Sequence, residues 1–125
     1  MIFGIGVDIV KVHRMQKNIE QYNERFAHKI LCEKEMLEYN NISNPAHYLA
    51  KHFAAKEAFV KALGSGFRNG INLRDIGIEH EVNGRPVFHF DNKIIDQLTS
   101  NSIISSHLSL SDENEYACAF VILEK

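Results

Sequence analysis

The sequence has no tryptophan, two prolines and two cysteines in 125 residues. Cys32 and Cys118 stand alone, with no C-x-x-C, so neither a disulfide framework nor a zinc knuckle is expected. No apolar run approaches the ~20 residues of a membrane span, so no membrane partner is expected. No basic segment followed by a long apolar stretch opens the chain, which argues against a signal peptide. No dense basic cluster with interleaved aromatics is present, so nucleic acid is not the expected partner. The spacings G-x-x-x-x-G-K-[ST], G-x-G-x-x-G, H-E-x-x-H and G-x-S-x-G are all missing. There are no repeats, low-complexity tracts or linkers. These exclusions leave one globular domain over residues 1–125, with the cytoplasm as the default compartment.

Positive charge is short in one half and negative charge in the other. Residues 1–70 hold ten Lys/Arg against seven Asp/Glu, and residues 71–125 hold four against nine. The net values of +3 and −5 combine to the overall −2. A locally basic first half points weakly to an anionic partner, since most charges simply solvate a surface.

Hydrophobic spacing then divides the chain. In MIFGIGVDIV, Ile5, Val7 and Ile9 share one face of a strand, and Gly4, Gly6, Asp8 and Val10 share the other. The glycines bare that second face, which admits a helix or a ligand. NERFAHKIL has helical spacing. CEKEMLEY starts a second helix, with Glu35 three residues after Cys32 as half a capping box. SNP at 43–45 interrupts the pattern, Ala46 to Leu63 forms a long central helix, and Gly64 in the GSG that follows is its C-cap. The second half turns to strands. IGIEHEV and PVFHF flank an Asn83-Gly84 turn, DNKIIDQLTSN is a surface helix, and SHLSLS pairs with YACAFVILE. Leu108 and Leu110 face inward, with His107, Ser109 and Ser111 opposite. The fold expected is α+β, a small single domain with an antiparallel sheet packed against the long central helix.

One stretch poses a chemical problem. FAAKEAFVKALG is apolar almost all round, yet Glu57 and Lys61 lie in it. A buried charge is costly without a compensating partner. Either Glu57 pairs with Lys61 at i,i+4, or it holds something absent from the sequence. Asp8, at the end of a glycine-bared face, is the matching carboxylate. Two such groups suit Mg²⁺, which takes oxygen ligands and is often held by one or two carboxylates plus substrate phosphates. The plainer alternative makes Asp8 a helix cap and Glu57–Lys61 a surface pair. Lys61 before the GSG turn could bind phosphate, although GSG alone is more often a helix stop.

The segments GIGVDIV (4–10), RFAHKIL (25–31), YLAKHFAAKEAFVKALGSG (48–66), NGRPVF (83–88) and HLSLS before EYACAFVILE are collinear and span nearly the whole chain. Together they resemble the holo-acyl-carrier-protein synthases, the short bacterial type of the phosphopantetheinyl transferase superfamily. The resemblance implies that phosphopantetheine moves from coenzyme A to a serine of apo acyl carrier protein, with Mg²⁺ as cofactor. It places the metal on Asp8 and Glu57, with Lys61 at the phosphates as a third catalytic group. Gly64, Ser65, Pro86, His107 and Ser109 would border the nucleotide. Glu57 is the first candidate for the base that takes the serine proton, and a carboxylate of the carrier is the second. The family is typically a homotrimer with sites at subunit boundaries. Arg14, Arg25 and Lys29 are the candidates for docking the acidic carrier. Many relatives have arginine at the position of His52 and histidine at that of Asp112. An acidic Asp112 would repel a phosphate, so none is assigned there.

Two other classes compete. A Mg²⁺-dependent phosphohydrolase with the same carboxylates would consume coenzyme A without any carrier. A non-catalytic module would bind the carrier equally well with or without metal and nucleotide.

Overall fold

A computed structural model describes residues Met1–Lys125. The elements run β1 (Ile2–Lys11), α1 (Val12–Tyr22), α2 (Glu24–Ile30), α3 (Glu33–Tyr39), α4 (Pro45–Leu63), β2 (Ile76–His80), β3 (Pro86–Phe90), α5 (Asn92–Ser100), β4 (Ser105–Asp112) and β5 (Tyr116–Glu124). No helix is long and apolar enough to cross a membrane.

The α+β expectation holds, and its central contact is α4 against β1 and β5. A Cβ built on Gly6 would meet the Ala58 carbonyl oxygen at 1.9 Å, and one on Gly4 the Ala62 oxygen at 1.9 Å. The bared strand face therefore receives a helix backbone. The helix answers with small residues, since Ala54, Ala58 and Ala62 are all buried. α4 begins with Pro45 in its first turn, one residue before the expected start. It ends at Gly64, which has φ +85° and donates its N–H to the carbonyls of Val60 and Lys61.

The sheet differs from expectation. The sequence suggests one sheet, but the strands form two. β1, β5 and β4 pair antiparallel with β5 in the middle, and β2 pairs only with β3. The β2–β3 hairpin reaches α4 through aromatic packing, with Phe59 lying 5.3 Å from Phe88 and 4.8 Å from Phe90 between ring centroids. A second helix was also not legible. α1 sets Val12, Met15 and Ile19 against the core at i, i+3 and i+7, a helical period too sparse among polar residues to stand out in the sequence.

Register places the outer face of the three-stranded sheet. Val7 lies opposite Phe120 and then Ser109, while Ile5 lies opposite Ile122 and then His107. Leu108 and Leu110 point toward the core, as expected. On the outer face Ile5, Val7 and Ile9 are 59%, 55% and 64% exposed, and Phe120 is 42% exposed. Three branched apolar side chains of β1 are thus turned to solvent, while Gly4 and Gly6 are turned inward.

Candidate active site

Asp8 leaves β1 on the face that α4 covers, and Glu57 and Lys61 leave α4 one turn apart. The Lys61 ammonium donates to Asp8 Oδ1 at 3.0 Å and to the Val7 carbonyl at 3.0 Å. The i,i+4 Glu57–Lys61 pair does not form, because Lys61 turns to Asp8 instead. Nor does Asp8 cap α1, whose N-cap is Lys11 with no side-chain bond. Both parts of the plainer alternative therefore fail on geometry. Burial and then the charge of Asp8 push the Glu57 carboxyl above its ordinary value, against the pull of Lys61 and Arg14. A carboxyl raised by a second carboxylate is one that an added cation would relieve. No group of three or more His, Cys, Asp and Glu side chains is placed to hold a metal ion. Two carboxylates fit Mg²⁺, which takes its other ligands from water and substrate oxygens, and do not fit a closed zinc site.

The fully buried charge of α4 is Lys56, at 0% exposure, while Glu57 is half-buried. Lys56 donates to Glu35 Oε1 at 2.7 Å and to the Ile30 carbonyl. His52 Nδ1 bonds the other oxygen of Glu35. The Glu35 carboxylate also accepts from the Cys32 N–H at 2.9 Å, so the half capping box forms. Burial works to raise the Glu35 carboxyl, but the His52 bond and the Lys56 charge outweigh it and hold it at about 2. Burial keeps His52 below its ordinary value despite Glu35. The imidazole also stacks on Tyr48, with centroids 3.9 Å apart. This cluster ties the end of α2 and the start of α3 to α4, beside Glu57. Its signal in the sequence was a histidine and a lysine four apart on an apolar helix, partners of a glutamate that looked like a cap alone.

The other expected residues fall in three places. Gly64 and Ser65 follow Lys61 at the end of α4, where Ser65 Oγ donates to the Gly66 carbonyl. His107 and Ser109 lie on the outer sheet face, the opposite side from Asp8, and His107 Nε2 bonds Glu124 Oε1 at 2.5 Å. Pro86 opens β3 in the separate hairpin. A single chain thus does not bring these three to the carboxylates. Asp112 faces Lys51 at 4.0 Å. Arg25 and Lys29 line a cleft with Asn18, Tyr22 and Phe26. Arg14 is apart from that cleft, with its guanidinium over the ring of Phe53.

Sequence and fold comparisons identify the family. A family model for the 4′-phosphopantetheinyl transferase superfamily matches residues 4–121. The chain belongs to that superfamily. Its likeness within the superfamily is to the holo-[acyl-carrier-protein] synthases. The one from Nitrosomonas eutropha is 46% identical, with all of both chains covered. The crystal structure of the Neisseria meningitidis synthase is 42% identical, covers all of both chains and superposes with a TM-score of 0.96. The Bacillus anthracis synthase, solved in complex with CoA (3′,5′-ADP), is 32% identical with a TM-score of 0.84, covering 100% of this chain and 98% of its own.

Proposed function

We propose that the chain transfers the 4′-phosphopantetheine arm of coenzyme A to a serine of apo acyl carrier protein, for fatty acid biosynthesis, with Mg²⁺ held by Asp8 and Glu57. The observation that carries this is the pair of carboxylates from β1 and α4, flanked by the Lys61 ammonium, in a chain of this superfamily. When bound, the metal neutralises phosphate oxygens and polarises the attacked phosphoryl group. The serine Oγ–P bond forms as the pyrophosphate P–O bond breaks, and adenosine 3′,5′-bisphosphate departs. Glu57 is the first choice of proton acceptor for the serine hydroxyl, and a carboxylate of the carrier is the second. Lys61 sits half-exposed at the end of α4, able to reach the phosphates, and Gly64 and Ser65 continue from it. Positioning and electrostatics dominate, because a phosphate leaves readily.

The assembly we propose is a homotrimer. Ile5, Val7, Ile9 and Phe120 form an exposed apolar face that a neighbouring copy would bury. In that arrangement His107, Ser109 and Pro86 serve the nucleotide across a subunit boundary, which accounts for their separation from Asp8 within one chain. The acidic carrier docks on α1 and α2. Arg14, Lys17, Arg25 and Lys29 have no carboxylate partner, whereas Lys34, Lys56, Lys61, Arg85 and Lys93 each have one. The cleft between Tyr22, Phe26 and the two basic side chains Arg25 and Lys29 offers apolar floor and positive rim together. Two free, half-buried cysteines suit the cytoplasm.

Intact mass of an apo carrier protein, after incubation with the chain, coenzyme A and Mg²⁺, tests the transfer. The expected product carries one phosphopantetheine. Glu57→Gln keeps the fold and should lower the rate on the order of a hundred-fold or more. No mass gain with the wild-type chain would overturn the reading, and coenzyme A consumed without carrier would favour a hydrolase.

A further inference from the structure

Arg14 is held in an unusual way for a cation beside a carboxylate. Its charge is felt by Glu57, yet the two form no ion pair. Its guanidinium carbon instead lies 5.6 Å from the centroid of the Phe53 ring. That is within the ~6 Å range of a cation–π contact. Phe53 precedes Glu57 by one turn of α4, and α1 carries Arg14 across that helix. The ring is only partly buried, packed against the core on one side and open to Arg14 on the other.

A carboxylate would fix the guanidinium equally well, but it would also neutralise it and occupy its N–H fork. An aromatic face attracts the cation through its quadrupole and takes none of its hydrogen-bond donors. Arg14 is therefore localised while its charge and its five N–H groups stay available. It is near enough to Glu57 to pull on that carboxyl, and it lies on α1, which also supplies Asn18 and Tyr22 to the proposed docking cleft.

We infer that Phe53 is a positioning residue for carrier recognition, holding Arg14 fixed and un-neutralised at the edge of the active site. The inference rests on the transferase reading above, and on nothing assigned to Phe53 by it. A purely structural Phe53 would matter to stability and would act on both substrates alike. A positioning Phe53 acts on the carrier alone, and only through Arg14.

Phe53→Leu keeps the apolar bulk and removes the ring face, Phe53→Tyr restores the face, and Arg14→Met removes the charge. Steady-state kinetics on the full chain give KM for carrier and for coenzyme A separately. In Phe53→Leu the KM for carrier should rise roughly two- to five-fold, the range of an exposed cation–π contact. The KM for coenzyme A should stay at the wild-type value. Phe53→Tyr should return the carrier KM to near wild type. In an Arg14→Met background, Phe53→Leu should add nothing, because the two side chains act as one unit. An equal rise of carrier KM in that background, an unchanged carrier KM in Phe53→Leu, or a Phe53→Tyr no better than Leu would each overturn the inference. If Phe53→Leu fails to fold, Phe53→Met replaces it in the same cycle. Failure of the wild-type chain to modify any carrier would instead sink the transferase reading itself.

Discussion

Glu35, His52 and Lys56 are all buried and all hydrogen-bonded. Burial depresses His52 and Lys56; it works to raise Glu35, but the His52 bond and the Lys56 charge hold that carboxyl low. The acid side of the stability profile follows from His52 and Glu35. An unfolded chain takes a proton on His52 below about 6.5, while the folded chain resists, so stability falls as pH drops through that range. Glu35 acts in the same direction at lower pH. Its contribution is full above the ordinary carboxylate value and is lost as pH falls toward about 2. The melting temperature should therefore decline from pH 7 to pH 5, and His52→Gln, which keeps a donor for Glu35, should flatten that decline. Parallel wild-type and variant profiles would absolve His52. Lys61 poses a different question, since its ammonium is exposed enough to leave Asp8 for a phosphate. Lys61→Met keeps the stem and should cost turnover about a hundred-fold with little change in KM for coenzyme A. A rise in KM alone would make Lys61 a ground-state anchor for the phosphates.

Among the elements, β1 and α4 are the pair on which the site is built. The carboxylates can face each other only because glycine lets the strand lie against the helix backbone. Gly6→Ala would drive a Cβ to 1.9 Å from the Ala58 oxygen, so the helix must retreat. The cost should be about 3 kcal/mol, which is on the order of 10 °C in melting temperature. Activity should fall further than stability at temperatures where the variant is folded, as Glu57 moves with the helix. Thermal melts and transfer rates measured together check this. Much of this pairing was legible beforehand. Gly4, Gly6 and Asp8 on one strand face, the Ala46–Leu63 helix with its glycine stop, and the inward Leu108 and Leu110 all follow from period and turn chemistry. α1 escaped because its period rests on three apolar side chains, Val12, Met15 and Ile19, thinly spread among polar ones. The division into two sheets escaped because strand spacing says nothing about which hairpin stays apart. At the site, Asp8, Glu57 and Lys61 could be named from their surroundings, but the Lys61–Asp8 bond could not. That contact joins residues from β1 and α4, and only the packed fold decides that Lys61 turns away from Glu57. Lys56 passed without notice in the sequence, because the Ile30 carbonyl and the Glu35 carboxylate that hold it inside come from distant segments.

For the molecule as a whole, the outer face of the three-stranded sheet is the feature that a lone chain leaves unexplained. Val7→Lys puts a charge in the middle of that face at a position already 55% exposed, so the single chain should fold normally. Light scattering after gel filtration should show the proposed trimer in the parent chain replaced by monomer in the variant, with transfer activity lost alongside it. A variant that still assembles would exclude this face from the interface. The sheet has a second consequence, which concerns folding. The only ladder of β1 is with β5, Asp8 sits opposite Ala119, and every other element lies between these two strands in sequence. Pairing across so much sequence is slow by its loop-closure entropy. The strand that bears Asp8 therefore gains its ladder late in folding, and a change that frays β5 would loosen Asp8 without touching it.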